Sequence, residues 1–210
     1  METNHHELLN VYDEEGALVG VLPRQEAKAS GLAVGAVNVL LVNARGHVLL
    51  QRRRAGKENG GRWDKSVGGH VSAGESFDAT AVRECGEELF DDPRSTSVHL
   101  AGSAADFERL ISEVDLSAAV AIRQVALQHR LRDVRLSADG DRLNVLYHVA
   151  IYTGRTDVPR DGFRPQASEV DELGYFPPEE VDQMLLEGML APNMAFLWLT
   201  RAHDLLRRAR

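Results

Sequence analysis

Residues 68–90 decide the fold, and they read GGHVSAGESFDATAVRECGEELF. The glycines and serines of the first half predict a loop, whereas the Ala, Val, Leu and Glu residues from about Phe77 onward favour a helix. A helix turns by about 100° per residue, which places Glu87 and Glu88 within about 60° of Glu84 on opposite sides. Three carboxylates therefore project from one face of the predicted helix.

Clustered carboxylates repel each other unless a cation lies among them. Surface helices usually place Lys or Arg on the turn next to such glutamates, yet only Arg83 is near in this stretch. Hard divalent cations such as Mg²⁺ and Mn²⁺ prefer oxygen ligands, and Mg²⁺ commonly combines few carboxylates with substrate phosphates. The cluster therefore indicates a metal site, with a solvated glutamate-rich helix as the alternative.

The spacing in this stretch resembles the signature of the Nudix hydrolases. That signature runs from a glycine and a glutamate, separated by five residues, to an Arg-Glu pair, a Glu-Glu pair and a closing glycine. The matching residues are Gly69, Glu75, Arg83, Glu84, Cys85 (in an apolar position), Glu87 and Glu88. Phe90 and Asp91 depart from the closing glycine and the apolar residue after it. Since glycine permits a left-handed cap, we expect this helix to end differently.

The resemblance implies an α/β fold, a Nudix-type α/β/α sandwich with a mixed, curved sheet. It also implies a metal-dependent hydrolase that cleaves a diphosphate linkage in a nucleoside diphosphate derivative or a similar small molecule. The implied ligands of Mg²⁺ or Mn²⁺ are Glu84, Glu87, Glu88 and the Gly69 carbonyl. Glu87 and Glu88 are the expected catalytic residues, and Arg83 supports them through a charge-assisted bond to Glu75 or Glu87.

Six further residues are candidates for contacts with the substrate. They are Arg52, Arg53, Lys57, His70, Glu169 and Glu172. The three basic residues suit phosphate binding, with a solvated loop as the alternative. The histidine follows the first glycines of the motif closely enough to reach the site. The two glutamates are alternatives to Glu87 as the general base, or else solvated residues near a strand edge.

Residues 8–90 resemble the Nudix branch that includes isopentenyl-diphosphate isomerase and its hydrolase relatives. In the matching segment the isomerases carry a catalytic cysteine where this chain has Gly68. No histidine occurs between residues 31 and 43, where the isomerases place further metal ligands. A hydrolase is therefore our leading interpretation. A prenyl-diphosphate isomerase and a catalytically silent ligand sensor or interaction module with the same fold are the alternatives.

Composition restricts the class of protein. A chain of 210 residues with 43% hydrophobic and 27% charged residues predicts one domain over residues 1–210. The net charge of -8 argues against nucleic acid as the main partner. The single cysteine, Cys85, excludes an internal disulfide and favours the cytoplasm. We expect no membrane partner, because the N-terminus lacks a signal-peptide pattern and no apolar run is long enough to span a bilayer.

Two segments are expected to extend the core of the domain. In residues 1–30, the strand patterns at 8–12 and 17–22 predict a β-hairpin around the sequence DEEG. Residues 104–114 and 117–128 have helix-forming composition and predict a helical insertion over about 102–130. Paired strands are then expected at 130–136 and 143–153, around a turn at 137–141. The hairpin and the insertion offer surfaces for a homodimer.

Overall fold

The computed structural model describes residues 7–136 and 142–209. In this part of the chain, ten strands form one sheet, accompanied by five α-helices and a short 3-10 helix (Arg160–Gly162). The strands are β1 (Leu8–Tyr12), β2 (Leu18–Pro23), β3 (Ala33–Val42), β4 (Val48–Arg53), β5 (Trp63–Asp64), β6 (Val67–His70), β7 (Val98–Ala101), β8 (Val120–Leu136), β9 (Arg142–Thr156) and β10 (Val170–Phe176). The helices are α1 (Arg24–Ala29), α2 (Phe77–Phe90), α3 (Ala104–Glu113), α4 (Pro178–Leu186) and α5 (Pro192–Ala209). The turn predicted at 137–141 lies outside the described residues.

Strand β3 is the centre of the sheet. It pairs in parallel with β9 along its whole length, and antiparallel with β1, β4 and β6. A strand buried on both faces needs apolar side chains at successive positions, and the sequence AVGAVNVLLV provides them. The register places Val37 opposite Gly69 of β6. The glycines of the motif therefore lie against the most buried strand of the sheet.

Alternate residues of β3 build two cores, because successive side chains of a strand point to opposite faces. On one face, Val37, Val39 and Leu41 pack with Ala81, Cys85 and Leu89 of α2. On the other face, Leu40 and Val42 pack with residues of α4 and α5, including Met184, Met194 and Leu205. Burial of each large apolar side chain contributes about 1.5–3 kcal/mol. The expected α/β/α sandwich with a mixed sheet is confirmed.

The predicted N-terminal hairpin is present as β1 and β2, which pair antiparallel. Strand β1 also pairs with β3 and so joins the hairpin to the central sheet. Among the described residues β2 pairs with β1 alone, and Leu18, Val19 and Val21 are exposed. A homodimer contact at this hairpin stays a prediction.

The helical insertion is helical only in its first half. Helix α3 forms as predicted, with the Ser103 side chain accepting a hydrogen bond from the Asp106 N–H. The second predicted helix, at 117–128, is wrong, because residues 120–128 belong to strand β8. Strand β7 pairs with the start of β8 in parallel, and β9 pairs with β8 antiparallel. Sheet pairing on both sides of Val120 and Ile122 outweighs the helical propensity of the neighbouring Ala, Gln and Leu residues.

Helix α5 closes the second core with one apolar side. Its buried residues are Met194, Leu197, Trp198, Leu205 and Ala209. The Arg123 guanidinium donates to the Arg208 carbonyl at 2.9 Å, which is favourable at the negative end of a helix. Across the described ranges, no helix is both long and apolar enough to cross a membrane.

Candidate active site

The loop before α2 sets the position of the carboxylate helix. Ser76 caps the helix, its side chain accepting a hydrogen bond from the Ala79 N–H, which satisfies a free donor of the first turn. The Asn10 amide of β1 donates to the Glu75 carbonyl at 3.0 Å. These bonds attach the start of α2 to the sheet at the level of the motif glycines.

Arg83 is the cation around which the motif carboxylates gather. Its Nε and Nη2 donate to the two oxygens of Glu75 at 2.9 and 3.1 Å. Its Nη1 lies 2.9 Å from Glu87 Oε2 and 3.0 Å from Glu84 Oε1. Burial opposes the charge, but the bond to Glu75 and the nearby carboxylates raise the pKa of the guanidinium above its usual value. Arg83 thus contacts both of its expected partners, Glu75 and Glu87.

Glu88 is the most deeply buried carboxylate of the motif, with 8% of the residue exposed. Its Oε2 accepts hydrogen bonds from the Gln51 amide and from the Gly68 N–H, both at 3.0 Å. Burial raises its pKa to about 8, and the charge of Glu84 adds to this effect. The carboxylate is thus fixed in place although its environment disfavours an isolated negative charge.

Glu84 lies against the backbone of Gly69, in the space that a side chain at this position would occupy. A Cβ atom added to Gly69 would lie 1.9 Å from Glu84 Oε1. Burial raises the pKa of Glu84 to about 7, although Arg83 opposes the shift. The glycine of the motif is therefore required for close approach of a carboxylate to the strand.

The donor set of this cluster fits a hard divalent cation. Glu88 is buried and the Glu84 side chain is 13% exposed. Besides burial, the charge of Glu84 raises the pKa of Glu88, and the charge of Glu87 raises the pKa of Glu84. A cation among these carboxylates would relieve their repulsion. Over the residues that the structure describes, no three His, Cys, Asp or Glu side chains already converge as a metal-binding group. Glu87 is turned toward Arg83. The side chains that are in position are therefore Glu84 and Glu88, beside the Gly69 backbone.

Two of the predicted phosphate contacts, Arg53 and Lys57, have acidic partners. Arg53 follows Gln51 by two residues and so shares its face of β4. Its Nη1 lies 3.1 Å from Asp64 Oδ2, and its Nε donates to the Glu58 carbonyl at 2.7 Å. Lys57 pairs with Glu169 at 2.6 Å, with both side chains partly exposed. The structure therefore brings Lys57, in the loop after β4, together with Glu169, which directly precedes β10. We call this pair the rim.

Arg52 and Glu172 lie on the other face of the sheet from the glutamate helix. They are cross-strand partners in β4 and β10, and their side chains form an ion pair of 2.9 Å. The Arg52 guanidinium lies 6.0 Å from the ring of Trp63, which belongs to the core beneath α4 and α5. This placement puts both residues on the opposite face of the sheet from Glu84 and Glu88. It does not fit their predicted contact with a substrate at these glutamates.

His70 follows Gly69 at the end of β6 and is half-buried. Its ring centroid lies 6.0 Å from that of Tyr147 on β9, and its carbonyl is 3.5 Å from Arg83 Nη2. His70 thus lies beside the motif, as its sequence position predicts, and a contact with substrate stays a prediction.

Three residues of the site, Gln51, Asp64 and Lys65, are not among those selected from the sequence. Gln51 is a buried polar residue that directly follows three buried apolar residues of β4, and a polar residue in that position is a signal that would have found it. Asp64 and Lys65 are both at least 95% buried. Their burial depends on the pairing of β5 with β4, which has no local signature.

Comparisons with known proteins identify relatives of this chain. The family model of the NUDIX domain matches residues 33–195. An uncharacterized Nudix hydrolase of Pseudomonas aeruginosa, PA4841, is 40% identical over 84 residues, which are 40% of this chain and 50% of that protein. Isopentenyl-diphosphate Delta-isomerase 2 of Photorhabdus laumondii is 33% identical over 89 residues, 41% of this chain and 50% of that one. This chain spans about half the length of these two curated relatives.

A solved structure with the same architecture is that of DR0079 from Deinococcus radiodurans. The two structures superpose with a TM-score of 0.61 at 22% sequence identity, and the match covers 91% of this chain and 97% of that one. At this level of identity the likeness concerns the fold.

Proposed function

Because the chain belongs to the Nudix family, we propose that it is a metal-dependent hydrolase of a diphosphate linkage in a nucleoside diphosphate derivative or a similar compound. One observation carries this proposal. Glu88 is buried and the Glu84 side chain is only 13% exposed, both lie on one helix, and Glu84 occupies the space that a side chain at Gly69 would fill. A fold without catalytic or metal-binding work has no need of two such charges, since their burial costs stability.

Glu84, Glu88, the Gly69 carbonyl and, after rotation away from Arg83, Glu87 would hold the cation. When bound, Mg²⁺ or Mn²⁺ would neutralise charge on the diphosphate and would activate the attacking water. Gln51 and the Gly68 N–H orient Glu88 by their hydrogen bonds. Arg83 keeps the side chains of Glu75 and Glu87 in fixed positions through its 2.9 Å contacts.

We assign the general base to Glu87. It is more exposed than Glu84, 27% against 13% for the side chains, and it is attached to the same rigid helix. The alternative base, Glu169, is paired with Lys57 at 2.6 Å, which favours a role at the rim instead. Lys57 and Arg53 are then the basic groups that we propose as contacts for the substrate phosphates.

The isomerase alternative conflicts with the packing around Gly68. Isomerases of this branch carry a catalytic cysteine at the matching place. A Cβ atom at Gly68 would lie 2.1 Å from Cε of the buried Lys65, so this chain cannot accept a cysteine there without moving that lysine. The sensor alternative shares the whole site and is separated from the hydrolase only by turnover.

The proposal is tested by hydrolysis of a panel of diphosphates with Mg²⁺ and Mn²⁺. The panel contains nucleoside diphosphate sugars, dinucleoside polyphosphates, coenzyme derivatives and prenyl diphosphates. Glu88→Gln should lower kcat/KM by about 100-fold or more, because loss of even an indirect metal partner costs 10–100-fold. Glu179→Gln, which changes an exposed glutamate of α4, is the matched control and should retain activity.

Each outcome of the panel assigns the chain to one interpretation. Release of phosphate or a nucleotide that is lost in Glu88→Gln supports the hydrolase. Binding of panel compounds without any turnover would overturn the hydrolase in favour of the sensor. Conversion of a prenyl diphosphate into its double-bond isomer would establish the isomerase.

A further inference from the structure

Lys65 is a buried cation that the proposed mechanism does not use. It lies between β5 and β6 and is 5% exposed. Lysine is rarely buried to this extent unless an anion accompanies its ammonium group. The Asp64 carboxylate, 1% exposed, lies 3.3 Å from Lys65 Nζ through its Oδ1.

Asp64 alone does not balance the positive charge around it. Its Oδ2 lies 3.1 Å from Arg53 Nη1, so one carboxylate faces two cations. The Arg53 side chain is 29% exposed, so water screens part of its charge, whereas the Lys65 side chain is only 6% exposed. Lys65 is therefore the cation that gains most from a second carboxylate nearby. The Lys65 ammonium attracts the Glu88 carboxylate, which is itself buried.

The path from Lys65 to Glu88 runs across Gly68. A Cβ atom at Gly68 would lie 2.1 Å from Lys65 Cε and 3.0 Å from its Nζ, so the lysine side chain covers the face of this glycine. The Gly68 N–H donates to Glu88 Oε2 at 3.0 Å. The ammonium and the carboxylate therefore lie on either side of one backbone segment.

We propose that Lys65 is a positioning residue whose ammonium group is a fixed positive charge behind Glu88. This charge weakens the affinity of the site for divalent metal. This inference rests on the proposed function, because it concerns the same metal site. Lys65 and the metal neutralise the same carboxylate, and two cations near one another repel. Each therefore reduces the stabilisation that the other provides, and the effect is reciprocal.

The test measures Mn²⁺ binding by electron paramagnetic resonance of the free ion, in equilibrium with the protein at pH 8. Lys65→Met keeps the length of the side chain and removes its charge. We expect the dissociation constant for Mn²⁺ to fall by about tenfold. The reason is that the variant loses the repulsion between one positive charge and the divalent ion, which the protein and solvent only partly screen. Without metal, Lys65→Met should have a lower Tm than the wild type. Saturating Mn²⁺ should then raise the Tm of Lys65→Met by more than it raises the Tm of the wild type.

Two further variants separate charge from shape. Lys65→Arg retains the positive charge and should bind Mn²⁺ as wild type does. Arg109→Met removes one positive charge from an exposed ion pair on α3. The variant has the same net charge as Lys65→Met, and its affinity for Mn²⁺ should equal that of the wild type. If Lys65→Met does not fold, Lys65→Gln replaces it, since an amide can still donate to Asp64.

The outcomes distinguish this inference from the proposed function. Tighter Mn²⁺ binding in Lys65→Met, but not in the two controls, supports the inference. Equal or weaker binding in Lys65→Met overturns it while the metal site itself stands. Wild-type protein that binds no Mn²⁺ would overturn both the inference and the metal-dependent hydrolase.

Discussion

Arg83 shows at the scale of one residue how the metal-free site is kept together. Three carboxylates of the motif, Glu75, Glu84 and Glu87, lie within 3.0 Å of its guanidinium nitrogens. The Arg83 side chain is 23% exposed, so its charge is only partly screened by water. Removal of the one cation shared by three anions should therefore cost more than the loss of a surface ion pair.

We predict that Arg83→Met lowers the free energy of unfolding of the metal-free protein by about 2 kcal/mol. The reason is that Glu75, Glu84 and Glu87 would then repel each other without a counter-charge. Urea denaturation followed by circular dichroism measures this loss. Saturating Mg²⁺ should restore part of it, and the exposed-pair variant Arg109→Met should unfold at the wild-type midpoint. An unchanged midpoint in Arg83→Met would contradict the role assigned to this residue.

The residues of the site differ in how far the sequence alone predicts them. The motif spacing is local, so it indicates Gly69, Arg83 and the three glutamates without knowledge of the fold. Gln51 and Lys65 reach the site through the pairing of β4 with β5 and of β3 with β6. Such pairings depend on contacts between distant parts of the chain, and no short pattern encodes them.

Among the secondary-structure elements, helix α2 ends differently from the prediction. We expected a different ending because Phe90 replaces the closing glycine. The helix nevertheless ends in the left-handed conformation, which is adopted by Asp91 with φ 52° and ψ 30°. The Asp91 N–H bonds to the carbonyls of Glu87 and Gly86. Aspartate tolerates this region better than most residues, so the same cap forms one residue later.

We predict that Asp91→Gly stabilises the protein by about 1 kcal/mol. Glycine removes the steric cost of the left-handed conformation and also removes a negative charge from the carbonyl end of the helix. Thermal and urea unfolding measure the change. Asp91→Asn removes only the charge and should give a smaller gain, and Asp91→Ala should give the least. A destabilised glycine variant would show that the Asp91 side chain has an additional contact.

Strand β8 illustrates why elements are harder to predict than motifs. The residues at 117–128 have a helix-forming composition, and the apolar positions do not alternate cleanly. The start of β8 is buried on both faces, at Val120, Ala121 and Ile122, so it lacks the period of a half-exposed strand. Its register with residues 145–156 of β9 decides the conformation. The hairpin of β1 and β2 was predictable because its two strands are neighbours in sequence.

At the scale of the whole molecule, the buried carboxylates link stability to pH. The pKa of Glu88 is raised to about 8 and that of Glu84 to about 7, chiefly by burial. Both values lie above 4.5, the value for an exposed glutamate. A raised pKa in the folded state contributes stability that is present below the unfolded value and is lost as pH rises through the folded value. The metal-free protein should thus lose stability between pH 6.5 and 8.5.

His148 acts in the opposite direction in a lower range of pH. Burial, followed by the charge of His129, lowers its pKa below 6.5, and its ring packs 4.3 Å from that of His129. A lowered histidine pKa costs stability as pH falls through the unfolded value. Above pH 6.5 the contribution of His148 declines, so the two glutamates dominate the pH dependence in this window.

We predict that the free energy of unfolding of the metal-free protein falls by roughly 2 kcal/mol between pH 6.5 and 8.5. Urea titrations at several pH values in the presence of a chelator measure this slope. Glu88→Gln should flatten most of it, since the amide cannot ionise. Saturating Mg²⁺ should reverse the slope, because the cation binds the ionised carboxylates and its binding strengthens as they lose their protons. A flat profile for the metal-free wild type would mean that Glu84 and Glu88 are ionised throughout this range, and that their burial is compensated by groups other than a divalent metal.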